Sequence, residues 1–178
     1  MTKIEENFFY QQQNAIELHI RGRIAQVSSI TEAYLARIIL YCAIENHVQE
    51  LINFKKLMFA DKISKSCSDL KKANRKLQKE NKKIFDELNS IRLFRNRMIH
   101  CEFKWPEKSF DSFSVWDIVE HQTDGQYYQL IEFKVKDVFN KIDEFKSLLI
   151  SVLKIVNSMR ANFNEEFPEL AVRLNLSK

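Results

Sequence analysis

The sequence predicts an all-α protein, a four-helix bundle of the up-down type with a small β-hairpin inserted before its last helix. Only two Gly and two Pro occur in 178 residues, so long helices and few tight turns are expected. Apolar side chains recur every three or four residues over long stretches, which is the period of an amphipathic helix. The length suits one domain, and we expect a single helical domain over residues 1–178 with an insertion at 101–134.

Four stretches carry the helical pattern. The first covers about residues 14–45, where apolar positions keep the helical period from Ile16 to Cys42 and Gly22 is tolerated inside the helix. The second covers 48–66, although its end could fray into a connection. The third covers about 69–99, and the last runs from Val135 to Phe163. Pro168 then interrupts the short C-terminal segment.

A spacing of seven in the third helix could also indicate a coiled coil. Asn74 and Asn81 stand where such a seam needs apolar side chains, and most positions between are Lys, Asn or Glu. A helix packed in a bundle is therefore the preferred interpretation. The apolar positions in question are Leu70, Leu77, Ile84 and Ile91.

The segment after His100 differs in composition, because aromatic and β-branched residues replace the helical pattern. Pro106 ends helical structure, and Asp124-Gly125 is a hairpin turn signal. We expect an irregular loop and then two strands, 113–119 paired with 127–133. An isolated hairpin is marginally stable, so this one should pack on the helices.

Composition narrows the class of protein. The three cysteines are odd in number and show no CxxC or Cys/His spacing, which favours a reduced protein without structural zinc. The first residues lack the order of a signal peptide, and the most apolar run is interrupted by Arg37. We expect a soluble cytoplasmic protein with no membrane partner, no metal and no cofactor.

Positive charge is concentrated between Lys62 and Lys83. This segment carries nine basic and two acidic residues, a net +7 in a chain whose total is +4. Localised positive charge is the electrostatic footprint of a nucleic-acid binder, although a solvated lysine-rich helix face would look the same. The residues expected to contact RNA are Lys71, Lys72, Arg75, Lys76 and Lys79, with Arg97 further along the chain.

The stretch RNRMIH, residues 95–100, combines arginine and histidine at the end of the third predicted helix. Arginine offers a fork of donors that suits phosphate oxygens, and histidine can transfer protons near neutral pH. Spacing alone also fits an ordinary basic helix end that complements the helix dipole. In a regular helix Arg95 and His100 project ~140° apart. A joint site therefore needs either a helix break near Ile99 or a second copy of the chain.

This stretch resembles the Arg-x4-His motif of the HEPN family (higher eukaryotes and prokaryotes nucleotide-binding domain). The order of the surrounding segments is also similar over about residues 10–165: a long first helix containing VSSITEAYLARII, then KKLMFADKISKS, a lysine-rich helix and LNSIRLFRNRMIHCEF. The resemblance implies a helical ribonuclease that works without metal, as a homodimer with its two motifs facing each other across a cleft. Many members are toxins or phage-defence effectors, so an antitoxin or regulatory protein is a further expected partner.

The resemblance also implies roles for individual residues. Arg95 would hold the scissile phosphate and His100 would act as general acid and base in the attack of the ribose 2′-hydroxyl. Asn96 would orient the phosphate or the adjacent backbone, and Glu32 on the first helix would support Arg95. Glu102 stands where HEPN toxins paired with a nucleotidyltransferase antitoxin carry a tyrosine, so that pairing is not expected. A non-catalytic HEPN-like module that binds RNA or protein is the alternative.

Overall fold

The computed structural model describes the backbone of residues 3–43, 46–121 and 125–173. Most of the chain is helical, and a small antiparallel sheet precedes the last long helix, as the sequence predicted. The elements in chain order are α1 (Lys3–Cys42), α2 (His47–Lys55), α3 (Phe59–Ala73), α4 (Arg75–His100), β1 (Phe103–Lys104), β2 (Ser112–His121), β3 (Gly125–Lys134), α5 (Val135–Glu166) and α6 (Pro168–Arg173).

The chain divides into two compact units. Unit 1 comprises Met1–Val27 and Leu93–Phe145, and unit 2 comprises Ser28–Arg92 and Lys146–Lys178. The long helices α1, α4 and α5 contribute residues to both. The expectation of one domain with an insertion at 101–134 stays a prediction.

The predicted hairpin is present in unit 1 with the predicted register. Phe113 pairs with Phe133 and Val119 pairs with Tyr127, so the two predicted strands are confirmed. β1 adds a third strand that the sequence did not predict, and the strand order is β1-β2-β3. The Asp124 half of the predicted turn lies outside the described residues.

An aromatic cluster forms the inner side of the sheet. Phe113 is only 1% exposed, and its ring stacks on Phe103 with centroids 4.1 Å apart and planes within 8°. Trp105 and Phe133 contact the same ring at 5.0 and 5.9 Å. Because strand residues alternate between faces, burial of Phe113 turns Trp116 to the outer face.

Helix α1 begins at Lys3, eleven residues before its predicted start. The side-chain amide of the buried Gln13 donates to the carbonyl oxygens of Pro106 and Ser109, both at 2.8 Å. The Phe9 ring lies 6.1 Å from that of Phe110. These contacts are made with the loop before β2, far away in sequence, so the helical period of α1 alone could not reveal them.

The two middle helices of the prediction are wrong in their boundaries. Instead of helices over 48–66 and 69–99, the chain forms α2, α3 and α4, with breaks at residues 56–58 and at Asn74. Ser66 does not fray the helix, because its hydroxyl bonds to the carbonyl of Lys62 within α3. Asn74 begins α4 instead, since its side-chain oxygen accepts the backbone N–H of Leu77 at 2.9 Å.

The break at Asn74 also affects the possible coiled-coil seam, the apolar positions spaced seven residues apart. Leu70 lies on α3 and Leu77 on α4, so the four apolar positions do not follow one continuous helix. A coiled-coil seam requires that continuity. A seam over all four positions is therefore not available on one helix, and the preference for a helix packed in a bundle stays a prediction.

The last long helix was predicted accurately, since α5 begins at Val135 as expected and ends three residues beyond Phe163. Val138, Ile142 and Phe145 are buried at its start, and Val152, Val156 and Met159 further along. None of the described helices is both long and apolar enough to span a bilayer.

Candidate functional site

The end of α4 carries the Arg-x4-His motif on a helix anchored by its apolar side. Leu88, Ile91, Phe94 and Met98, whose spacing of three or four places them in one apolar arc of the helix, are all buried. Arg95 and Asn96 are half-buried, whereas His100 is exposed. The apolar arc thus fixes the helix and leaves the polar residues of the motif at the surface.

Arg95 and Asn96 interact directly through their side chains. The guanidinium Nη1 of Arg95 donates to the Asn96 side-chain oxygen at 2.9 Å. This bond gives the fork of the guanidinium group a defined direction. The role implied for Asn96 was to orient phosphate or backbone, whereas here it contacts the arginine itself.

The helix does not break at Ile99. Helical structure extends through His100, and the backbone N–H of Cys101 still donates to the carbonyl of Arg97 at 3.1 Å. Five residues of regular helix place Arg95 and His100 ~140° apart around its axis. Of the two arrangements that would let them share a ligand, only a second copy of the chain is compatible with this geometry.

Arg97 points elsewhere and pairs within unit 1. Its Nε donates to a carboxylate oxygen of Asp117 on β2, and both side chains are less than a third exposed. This ion pair connects α4 to the sheet. If Arg97 contacts RNA, as predicted, the RNA phosphate must compete with Asp117 for its guanidinium group.

Arg21 on α1 binds the end of α4 and was not singled out from the sequence. Its two terminal nitrogens donate to the carbonyl oxygens of Ile99 and Cys101, the latter at 2.7 Å. Its Nε donates to Glu17 at 2.8 Å, and its Cζ lies 4.6 Å from the centroid of the Phe103 ring. Of these contacts, only the ion pair with Glu17, one helical turn away, can be inferred from the spacing in the sequence.

Cys101 adjoins the same charged groups. Burial raises the pKa of the Cys101 thiol, Asp117 raises it further, and Arg97 and Arg21 oppose this rise. The thiol therefore stays protonated near neutral pH. It lacks the thiolate character of a nucleophilic cysteine.

Glu32 belongs to unit 2, where the structure gives it a lysine partner. The Lys62 ammonium donates to its carboxylate, and the two form an ion pair with side chains 11% and 28% exposed. A partly buried carboxylate needs a partner, and Lys62 is one. Support of Arg95 by Glu32 stays a prediction.

The predicted RNA-contacting lysines and arginine of unit 2 surround Asn74. Lys71 and Lys72 end α3, Arg75 and Lys76 begin α4, and Lys79 follows one turn later; all five are exposed. Cations complement the C-terminus of α3, but at the N-terminus of α4 they oppose the helix dipole, and no acidic residue stands in that first turn. The α4 side of this cluster would gain from a bound anion.

Aromatic side chains can stack on the bases of single-stranded RNA, and those around the sheet fall into two groups. Trp105 lies in the aromatic cluster, whereas Trp116 and Tyr128 are 49% and 71% exposed on the sheet. Trp116 pairs with Leu130 across the hairpin, and Leu130 is also exposed. The side chain of Tyr127 lies outside the described residues. Among the side chains that the structure describes here, Trp116 and Tyr128 are exposed enough to stack on a base.

Within the described part of the chain, no group of three or more His, Cys, Asp or Glu side chains is arranged to hold a metal ion. Comparisons with protein-family models, with curated proteins and with solved structures find no match. The residues themselves are therefore what supports a functional proposal.

Proposed function

We propose that this protein is a HEPN-type endoribonuclease that cleaves RNA by 2′-hydroxyl transesterification without a metal ion. The observation that carries the proposal is the Arg95-x4-His100 motif on the last turns of α4, with Asn96 bonded to Arg95. The motif stands at the end of a long helix, as the resemblance implies. No other segment of the sequence combines arginine and histidine in this way.

The chemistry assigns one role to each residue. His100 accepts the proton of the ribose 2′-hydroxyl, whose oxygen then attacks the adjacent phosphorus. The P–O5′ bond breaks, a proton is returned to the 5′-oxygen, and the products are a 2′,3′-cyclic phosphate and a 5′-hydroxyl. Arg95 binds the phosphate oxygens and stabilises the negative charge that builds on them.

A homodimer completes the proposed site. Since Arg95 and His100 of one chain diverge, Arg95 of one copy acts with His100 of the other across a two-fold axis. We further propose that the long helices form an up-down four-helix bundle within each copy. In the cytoplasm such an enzyme would act as a toxin or phage-defence effector, with an antitoxin or regulatory protein as partner.

RNA cleavage in the presence of EDTA tests the proposal. The wild-type protein should cleave single-stranded or tRNA-like RNA with chelator present, and Arg95→Ala and His100→Ala should each lose at least a hundredfold in rate. Arg23→Ala and His19→Ala are matched controls, because both residues are exposed on α1 and outside the motif. A substrate with a 2′-deoxy sugar at the cleaved position should resist. Undiminished cleavage by Arg95→Ala and His100→Ala would show that the site is misassigned.

The exposed basic cluster around Asn74 favours a second candidate, a non-catalytic RNA-binding module. Its five cations would neutralise backbone phosphates whether or not the motif reacts. This candidate predicts binding without turnover and a log–log salt dependence that becomes less steep by about one unit for each phosphate-contacting residue removed. Replacing Lys71, Arg75 and Lys79 with Gln, against Lys141→Gln on α5 as control, measures that change.

A further inference from the structure

We infer that Arg21 is a positioning residue for His100, acting through the backbone at the end of α4. This rests on the proposed function, since His100 is the proposed acid and base. Arg21 stands on α1, remote in sequence from the motif, and no feature of the motif itself points to it. The inference comes from the contacts of its guanidinium group.

Arg21 holds the backbone on both sides of His100. Nη1 donates to the carbonyl of residue 99, in the peptide group just before His100, and Nη2 to the carbonyl of residue 101, one residue beyond it, so one side chain holds the backbone before and after His100. The last carbonyls of a helix lack intrahelical partners. Arg21 supplies donors to this region and places a positive charge where the helix dipole is negative.

The guanidinium of Arg21 is itself held in place. Nε and Nη2 each lie 2.8 Å from Glu17 Oε1, one turn earlier on α1. Cζ of Arg21 lies 4.6 Å from the centroid of the Phe103 ring. Phe103 is only 6% exposed and stacks on Phe113. Each of the three guanidinium nitrogens has a partner within the protein, so Arg21 acts on His100 through the backbone.

This arrangement matters because His100 is exposed. Its side chain gains little orientation from packing, and its place is set mainly by the backbone that carries it. General acid–base transfer requires hydrogen-bond reach of the reacting proton. A misplacement on the order of 1 Å can lower a rate by about a hundredfold. Loss of the Arg21 contacts should therefore lower kcat and leave substrate binding largely intact.

The test compares Arg21→Gln and Arg21→Lys with the matched control Arg23→Gln, which changes an exposed arginine two residues away. Arg21→Gln should lower kcat for RNA cleavage by about ten- to a hundredfold, with KM within about twofold of wild type. Arg21→Lys should recover part of kcat, since it keeps the charge at the helix end but not the two-armed fork. Arg23→Gln should match wild type.

A spectroscopic readout separates this inference from the proposed activity. The chain has four histidines, so the imidazole carbon–proton cross-peak of His100 can be assigned by NMR with His100→Ala. Arg21→Gln should shift or broaden the His100 cross-peak and leave that of His47 in place. If the glutamine variant does not fold, the His100 cross-peak is measured in Arg21→Lys instead.

The outcomes are distinct. Absence of RNA cleavage by the wild-type protein would refute the proposed function, and the His100 cross-peak would still decide the positioning role. An unchanged His100 cross-peak, or an unchanged kcat with a lowered melting temperature, would overturn the inference and leave Arg21 a purely structural residue.

Discussion

Arg95 and Arg97 stand two residues apart on α4, yet their guanidinium groups have different partners. Arg95 donates to the neutral side chain of Asn96, whereas Arg97 pairs with the carboxylate of Asp117. A guanidinium paired with a carboxylate must give up that pair before it can bind phosphate. The contact with Asp117 therefore bears on the prediction that Arg97 binds RNA.

Arg97→Met should therefore lower stability without changing RNA affinity. The pair is partly buried, so its loss should cost about 1–2 kcal/mol in the free energy of unfolding, measured by urea denaturation. Asp117→Asn should cost a similar amount, and the double variant should cost less than the sum. A less steep salt dependence of RNA binding in Arg97→Met would instead assign Arg97 to the RNA interface.

Cys42 makes stability depend on pH in the alkaline range. Burial is the main cause that raises the pKa of its thiol to about 12, Asp69 adds to this, and Lys65 opposes it. An unfolded cysteine ionises near pH ~8.5. Above that pH the unfolded chain releases this proton while the folded chain retains it, so the stabilising contribution is lost as pH rises toward 12.

Cys42→Ala should flatten this alkaline loss. The free energy of unfolding of the wild type should fall more steeply between pH 9 and pH 11 than that of the variant, as measured by urea denaturation at each pH. The pKa of Lys65 is also raised, by hydrogen bonds to Asp69 and Glu50, but Lys65 is present in both proteins. Parallel curves for the two proteins would contradict the assignment.

At the scale of elements, Asn74 shows what periodicity alone cannot decide. The apolar period continues across the junction of α3 and α4, so periodicity alone predicts one undivided helix. The side-chain oxygen of Asn74 caps α4, and its own backbone N–H still bonds to Leu70, so one residue ends α3 and begins α4. An asparagine is a favoured N-cap residue, because its side-chain oxygen can accept the backbone N–H three residues further on. Asn74 therefore carries a capping signal at a position that the spacing of seven assigned to a coiled-coil seam.

Asn74→Ala should destabilise the protein, while Asn81→Ala should not. Loss of a side-chain cap costs about 0.5–2 kcal/mol, and Asn81 lies inside α4, where its side chain donates only to the carbonyl of Leu77. Alanine is the better helix former at that interior position. Chemical denaturation measures both changes, and equal losses in the two variants would show that Asn74 is not a cap.

The hairpin was predictable because its information is local. Alternating inward and outward residues fix the register of a two-stranded ribbon once the turn is located. Phe113 and Val115 are buried while Trp116 is exposed, so one face is strongly specified. β1 has only two residues, too few to show an alternating pattern, and an irregular loop separates it from β2.

At the scale of the whole molecule, the sequence located the motif but not its environment. Arg95, Asn96 and His100 were singled out by their resemblance to the Arg-x4-His motif, since residue type and spacing alone also fit an ordinary basic helix end. The support from Arg21 and the Arg97–Asp117 pair arises from contacts between segments distant in sequence, for which a single sequence offers no signal. The continuous helix through His100 adds a constraint, since one chain presents the two proposed catalytic groups in divergent directions.

Subunit complementation tests this central claim most directly. Arg95→Ala and His100→Ala homodimers should both be inactive toward RNA in EDTA. If each site combines Arg95 of one copy with His100 of the other, a mixed dimer of the two variants retains one intact site. After unfolding and refolding together in equal amounts, about half of the dimers should be mixed, and activity should recover to about a quarter of wild type. No recovery, with mixed dimers shown to form, would contradict a site shared between two copies.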